Sequence, residues 1–231
     1  MNTTTENYCI KDGYRARSAA LTVESDPGTY WTPERIDVAS LYQAAVYDIA
    51  VDCAERMGGS LRIADVGCGY PVKTLRLQPF ARRLTCFDQP TMREVIARDF
   101  EGLEFCAIDL EAPPRVEARF DLIVCADVLE HLLDPDPCLE FLRDHVSAGG
   151  IVVLSTPERD LVRGVDCMSS EKPDHVREWN GAEFRAYVTS RGLRVVDHLL
   201  LPPRGTVADV GPAVHGAERN GCQCVVATVK P

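Results

Sequence analysis

Leu61-Arg62-Ile63-Ala64-Asp65-Val66-Gly67-Cys68-Gly69 is the stretch on which the fold turns. Leu61, Ile63 and Val66 read as a buried strand that runs straight into Gly-Cys-Gly. A strand ending in small residues lets a ligand approach the backbone closely, and the first turn of a following helix presents unpaired N–H groups. A dinucleotide fingerprint would need a third glycine where this chain has Val72, and it does not call for an acid at the place of Asp65. Taken alone, the stretch is also compatible with an ordinary tight turn between a strand and a helix.

Downstream the pattern alternates. The sequence predicts a helix over 73–82, a strand over 84–87 ending at Asp88, a helix over 91–99, and a strand over 103–107 ending at Ile108-Asp109. A proline-rich loop leads to the most hydrophobic strand, Phe120-Asp121-Leu122-Ile123-Val124-Cys125-Ala126. A helix from Asp136, with Leu139, Leu142 and Val146 on one face, is closed by Gly149, and a strand over 151–155 follows. Residues 157–178 read as a long charged loop, a length that marks a functional segment such as a lid. Asn180 and Glu183 form a capping box for the next helix, and two strands, 194–201 and 223–229, close the chain. Upstream, Thr32 and Pro33 open one long helix with Val38, Leu41, Tyr42, Ala45, Ile49, Cys53 and Met57 as its apolar stripe. Residues 1–31 read as an irregular arm or flap, leaving one domain over 32–231. Strands alternating with helices argue for an α/β fold: a Rossmann-like, mostly parallel sheet with helices on both faces and an antiparallel terminal strand.

Composition excludes several classes. The 231 residues suit one domain, and 45% hydrophobic content supplies a sizeable core. With 35 acidic and 25 basic residues the net charge is −10, which speaks against nucleic acid as the main partner. No apolar run is long enough to span a membrane, and the first residues lack the pattern of a signal peptide. The ten cysteines are scattered without a zinc spacing, as in a reduced, cytoplasmic protein. Monomer and homodimer are both open expectations.

Asp65-Val66-Gly67-Cys68-Gly69 resembles motif I of the class I S-adenosylmethionine-dependent methyltransferases, with Pro71 in place of their third glycine. The resemblance covers roughly 60–230 and implies a seven-stranded sheet. It implies a cofactor site built from Asp65, Gly67, Cys68, Gly69, Asp88, Asp109, Leu110 and Ala126. Asp88, 21 residues after Gly67 at a strand end, is placed to hold the ribose, and Asp109 with Leu110 to hold the adenine. Asp127-Val128-Leu129-Glu130-His131 resembles a run that shapes the crevice near the transferable methyl in small-molecule methyltransferases. In the ubiquinone-biosynthesis O-methyltransferases and the small-RNA ribose methyltransferases a similar run can hold a divalent metal. By that likeness Asp127, Glu130, His131 and the later His175 form a candidate metal set.

Without a metal, Asp127, His131 and His175 are the catalytic candidates, either histidine being able to take a proton from a hydroxyl. The run 155–164, followed by His175-Val176-Arg177-Glu178-Trp179, is similar to bacterial methyltransferases of glycan and secondary-metabolite pathways. Arg159 and Arg177 are therefore candidates for meeting a small-molecule acceptor, with Tyr8, Tyr14 and Trp31 as a flap over it. The resulting expectation is methyl transfer to a small molecule, most readily at oxygen. The alternatives are cyclisation or cleavage of S-adenosylmethionine without methyl transfer, and a non-catalytic partner that keeps the fold.

Overall fold

A computed structural model describes residues 7–18, 31–202 and 221–229. The rest of the arm, and 203–220 between the last two strands, lie outside these residues. Two helices come first, α1 (Pro33–Val38) and α2 (Ala44–Met57). They precede β1 (Leu61–Val66), a 3-10 segment Thr74–Phe80, β2 (Ala81–Asp88), α3 (Met92–Asp99) and β3 (Glu104–Ala107). Then follow β4 (Phe120–Ala126), a 3-10 turn Leu129–His131, α4 (Asp136–His145) and β5 (Val146–Pro157). The chain ends with α5 (Arg159–Arg163), α6 (Gly181–Ser190), β6 (Leu193–Leu201) and β7 (Cys222–Val229).

The seven strands form one sheet in the order β3-β2-β1-β4-β5-β7-β6. All pairings from β3 to β5 are parallel, and β7 runs antiparallel between β5 and β6. The sheet is covered on both sides because alternate residues of its central strands are apolar in both directions. On β4, Ile123 and Cys125 enter one core with Phe87, Phe141, Trp179 and Phe184, while Leu122 and Val124 enter another with Tyr47, Ala50, Leu77 and Val153. Phe87 meets Phe120 and Phe141 edge-on, with ring centres 5.7 and 5.6 Å away.

Four local expectations are corrected. The upstream helix is two helices, because Gln43 takes a left-handed φ of +52° between them, and Val38 and Leu41 stay exposed instead of joining the stripe. The helix over 73–82 is a 3-10 segment that gives way to β2 at Ala81: Pro79 has no N–H to give and would clash with the preceding turn of an α-helix. The helix from Asp136 stops at His145, whose ring bonds the Phe141 and Val116 carbonyls, and Val146 opens β5 opposite Phe120. Residues 157–178 are not a structureless loop. Glu158 caps α5 by accepting from the Leu161 N–H at 2.7 Å, and Arg159, Val176 and Glu178 are buried.

Candidate active site

Strands β1, β2 and β3 are laid down in one direction, and the chain then crosses to β4 and β5 on the other side of β1. The carboxyl ends of β1 and β4 therefore flank the point where strand order reverses, the place where open α/β sheets bind ligands. At the end of β1, Gly67 and Gly69 have φ of +72° and +55°. A side chain on Gly67 would come within 2.4 Å of Val128, and one on Gly69 within 2.8 Å of the Trp31 ring, so only glycine fits either place. Pro71 does not start a helix. Its fixed φ suits the centre of a tight turn in which the Val72 N–H donates to the Tyr70 carbonyl at 2.9 Å.

Asp65 is fully buried beneath this loop. Its Oδ2 accepts from the Tyr47 hydroxyl at 2.7 Å and from the Thr74 hydroxyl, while Oδ1 finds no partner among the described residues. Burial raises its pKa. Asp88, half-buried at the end of β2, accepts from the Gly69 N–H at 2.7 Å and from the Gln89 N–H at 2.8 Å. Burial pushes its carboxyl up to about 6 against the pull of those two bonds. Asp109 is exposed and accepts from the Glu111 N–H at 2.9 Å, and Leu110 packs against the core beside buried Ile108. Cys68 is buried with Cys86, Met92 and Ile96.

Beyond β4, Ala126 pairs with Ser155, and Asp127 takes a left-handed φ of +54°, rare for a residue with a side chain. Its carboxylate accepts from the Ser155 hydroxyl at 2.6 Å and from Gln43 Nε2 at 3.1 Å. The left-handed Gln43 that divides α1 from α2 thus sends its side chain to the crevice. Sequence gave no signal for Gln43 or Ser155, whose role depends on contacts 84 and 28 residues away.

Glu130, His131 and His175 come together, with one possible ligand atom from each lying within 4.8 Å of the others. Asp127 stays outside this group on its own partners. The His131 Nδ1–H donates to the Asp174 carbonyl at 2.7 Å, which leaves Nε2 as an acceptor. Burial and the neighbouring His175 ring, 4.8 Å away, push the His131 pKa down. The His175 Nδ1–H donates to Glu178 Oε1 at 2.6 Å. Glu178 also accepts from Arg163 and Ser170, so although burial alone would raise it, its carboxyl is held at about 2. Glu178 was missed in the sequence, although its spacing three residues after His175 was visible. Glu130 is fully buried: Oε2 accepts from the Thr156 hydroxyl at 3.1 Å, and Oε1 has no partner among the described residues.

This donor set does not fit a divalent cation. The Lys172 ammonium stands 3.4 Å from His175 Nε2, so the lone pair a metal would need already accepts a bond from a positive charge. Asp127, the fourth expected ligand, lies outside the group and is turned to Ser155 and Gln43.

The five side chains expected at the acceptor fall in two groups, Arg159, Arg177, Tyr8 and Tyr14 on one hand and Trp31 on the other. Arg159 is fully buried and bonds Glu183 at 2.5 and 3.1 Å and Asp160 at 3.0 Å. Arg177 donates to the Leu132 and Leu133 carbonyls at 2.8 and 2.6 Å, with its guanidinium 4.2 Å from the Tyr8 ring centre. Tyr14 accepts from the Glu178 N–H at 3.0 Å and lies against Arg159, and the Tyr8 carbonyl accepts from Trp179 Nε1 at 2.9 Å. All four are engaged with the protein's own groups, where they tie the arm to 157–178. Trp31 does lie on the glycine loop, its ring centre 5.8 Å from that of Tyr70.

A glycine cradle at the switch point, an acid at the end of the next strand and an acid after β4 define the class I S-adenosylmethionine-dependent methyltransferase arrangement. A family profile described as "Methyltransferase domain" matches residues 27–198, and the chain belongs to that family. It is similar to the ubiquinone biosynthesis O-methyltransferase of Bordetella avium, 24% identical over 209 residues, covering 86% of this chain and 81% of that protein. It is also similar to the tRNA U34 carboxymethyltransferase of Campylobacter curvus, 30% identical over 106 residues, covering 43% of this chain and 35% of that protein. The solved N-methyltransferase NodS from Bradyrhizobium japonicum, in complex with S-adenosyl-L-homocysteine, shares the fold: TM-score 0.58, 17% identity, 99% of this chain and 97% of that one. Among the described residues no helix is long and apolar enough to cross a membrane.

Proposed function

We propose that this methyltransferase moves the methyl group of S-adenosylmethionine to a hydroxyl oxygen of a small-molecule acceptor in a biosynthetic pathway. The observation that carries the reading is His131, an imidazole locked by the Asp174 carbonyl, held neutral by burial, and standing just past the strand that ends at the switch point. Bound S-adenosylmethionine supplies a methyl group already activated on a sulfonium centre. The chain's own residues place the reactants and accept the proton, because alignment of methyl and nucleophile is the main requirement of an in-line displacement. Asp88 holds the ribose hydroxyls, for which both its oxygens retain lone pairs. The unpartnered Asp65 Oδ1, the Gly67-Cys68-Gly69 backbone and Ala126 face the amino-acid portion, and Asp109 and Leu110 the adenine. Asp127, fixed by Ser155 and Gln43, borders the acceptor, and His131 Nε2 takes the hydroxyl proton.

In this reading the exposed part of 157–178, from Gly164 to Asp174, closes over the crevice, and 175–179 is its buried anchor. The net charge of −10 supports a small molecule over a nucleic acid, and the scattered cysteines support a cytoplasmic setting, with monomer or homodimer both open to measurement. The test offers methyl-labelled S-adenosylmethionine with a panel of phenols, sugars and amines. Label on an oxygen is expected, and His131→Ala lowers kcat about 10²- to 10⁴-fold while S-adenosylhomocysteine affinity holds. Label on nitrogen, cleavage of the cofactor without a methylated product, or full turnover by His131→Ala overturns the assignment.

A further inference from the structure

The cluster of Glu130, His131 and His175 has a feature that methyl transfer alone does not account for. Glu130 is fully buried, yet one of its carboxyl oxygens has no partner among the described residues, and a carboxyl oxygen of this residue lies within 4.8 Å of a ring nitrogen of each of two imidazoles. Leaving such an oxygen unmet costs about 1–3 kcal/mol, so the cluster calls for a positive charge or a hydrogen-bond donor. The side chain that reaches it is Lys172. The residue is exposed, and its ammonium stands 3.4 Å from His175 Nε2. The tautomer agrees. Because the His175 Nδ1–H is given to Glu178, Nε2 carries the lone pair and accepts from the ammonium. The Lys172 charge also acts on Glu130, pulling against the burial and the Asp127 charge that push that carboxyl up.

We propose that the ammonium of Lys172 takes the place of a divalent cation among Glu130, His131 and His175, so that this chain needs no metal and Lys172 serves as its built-in cation. The inference rests on the methyltransferase reading for what the cation does there: it stabilises negative charge that develops on the acceptor oxygen. Lys172 keeps its protons, and the acceptor proton still goes to His131. A double charge about 4 Å from an ammonium is repelled strongly enough, even in water, to weaken binding about 30-fold.

The test dialyses the whole protein and its Lys172→Met variant against Co²⁺ and measures bound metal by elemental analysis and visible absorbance. S-adenosylhomocysteine binding is followed on the same samples by calorimetry. The wild type is expected to hold no stoichiometric cobalt. Lys172→Met is expected to bind one equivalent at least about 30-fold more tightly, and adding Glu130→Gln should abolish that gain. Two outcomes overturn the proposal: wild-type protein that retains an equivalent lost in Glu130→Gln, or a Lys172→Met variant with no better cobalt affinity than the wild type. Loss of S-adenosylhomocysteine binding would instead defeat the methyltransferase reading and leave the metal result standing.

Discussion

Asp88 accepts two backbone N–H bonds in the ligand-free protein and still sits near 6, because burial outweighs them. A ribose that donates to this carboxyl favours its ionised form, so binding near pH 6 should release about half a proton. Calorimetry in buffers of different protonation enthalpy reads that number, and affinity should fall as pH drops below about 6. The sign for folding is opposite. The native carboxyl holds its proton more tightly than the unfolded chain does, so this group stabilises the free protein at low pH and loses that contribution as pH rises from about 4 through about 6. Asp88→Ala should weaken S-adenosylhomocysteine about 30- to 1000-fold. Unchanged affinity would remove Asp88 from the site. The place of Asp88 beside the glycine loop was legible because its distance along the chain from Gly67 and its position at a strand end are local facts. Arg159 and Arg177 were not. Their partners, Glu183 and the carbonyls of Leu132 and Leu133, lie 24, 45 and 44 residues away, and nothing nearby distinguishes an arginine that meets a ligand from one that closes the protein's own carboxylate.

At the scale of elements, the segment 157–178 has two halves with different physics. Its two ends are held by the Arg159–Glu183 and Arg163–Glu178 pairs and by the Arg17 N–H of the arm, which donates to the Val176 carbonyl, while the Arg15 N–H reaches the Met168 carbonyl within the middle. Its middle, 164–174, is mostly exposed. Hydrogen exchange on the free protein should therefore show 175–179 protected like the core and 164–174 open, with 164–174 slowing when cofactor and acceptor are both present. Equal exchange in the two halves of the free protein would contradict this division. Arg159→Ala should cost about 3 kcal/mol in a urea melt, at the low end for a broken buried pair because Glu183 and Asp160 keep some water contact. A loss under half of that would mean the pairs contribute little. The pattern of charges without periodicity suggested a loop because ion pairs between distant residues replace the apolar stripe that marks packed segments. The break at Gln43 is equally silent in sequence, whereas Gln78-Pro79 was a local signal against the helix over 73–82.

At the scale of the whole molecule, the reversal of strand order between β1 and β4 decides where a ligand can stabilise the fold. The two central strands bury both faces, so their carboxyl ends are held by both cores at once. That half of the architecture was legible because alternation of strands and helices is a property of the chain's order. The exact strand limits were not, since β5 begins inside what periodicity assigns to a helix. A cofactor bound at those ends by the native state alone adds its binding free energy to the stability of the whole sheet. At a hundredfold excess over its dissociation constant, S-adenosylhomocysteine should add about 2.7 kcal/mol. For a chain of this length that raises Tm by about 5–10 °C. At the same concentration Asp88→Ala, weakened about 30-fold or more, should keep less than a third of that shift. Lys172→Met should keep all of it, because Lys172 bonds His175, whereas the ribose reading rests on Asp88 and its Gly69 and Gln89 partners. A melt in which wild type and Asp88→Ala gain equally would mean the ligand is held somewhere other than the end of β2.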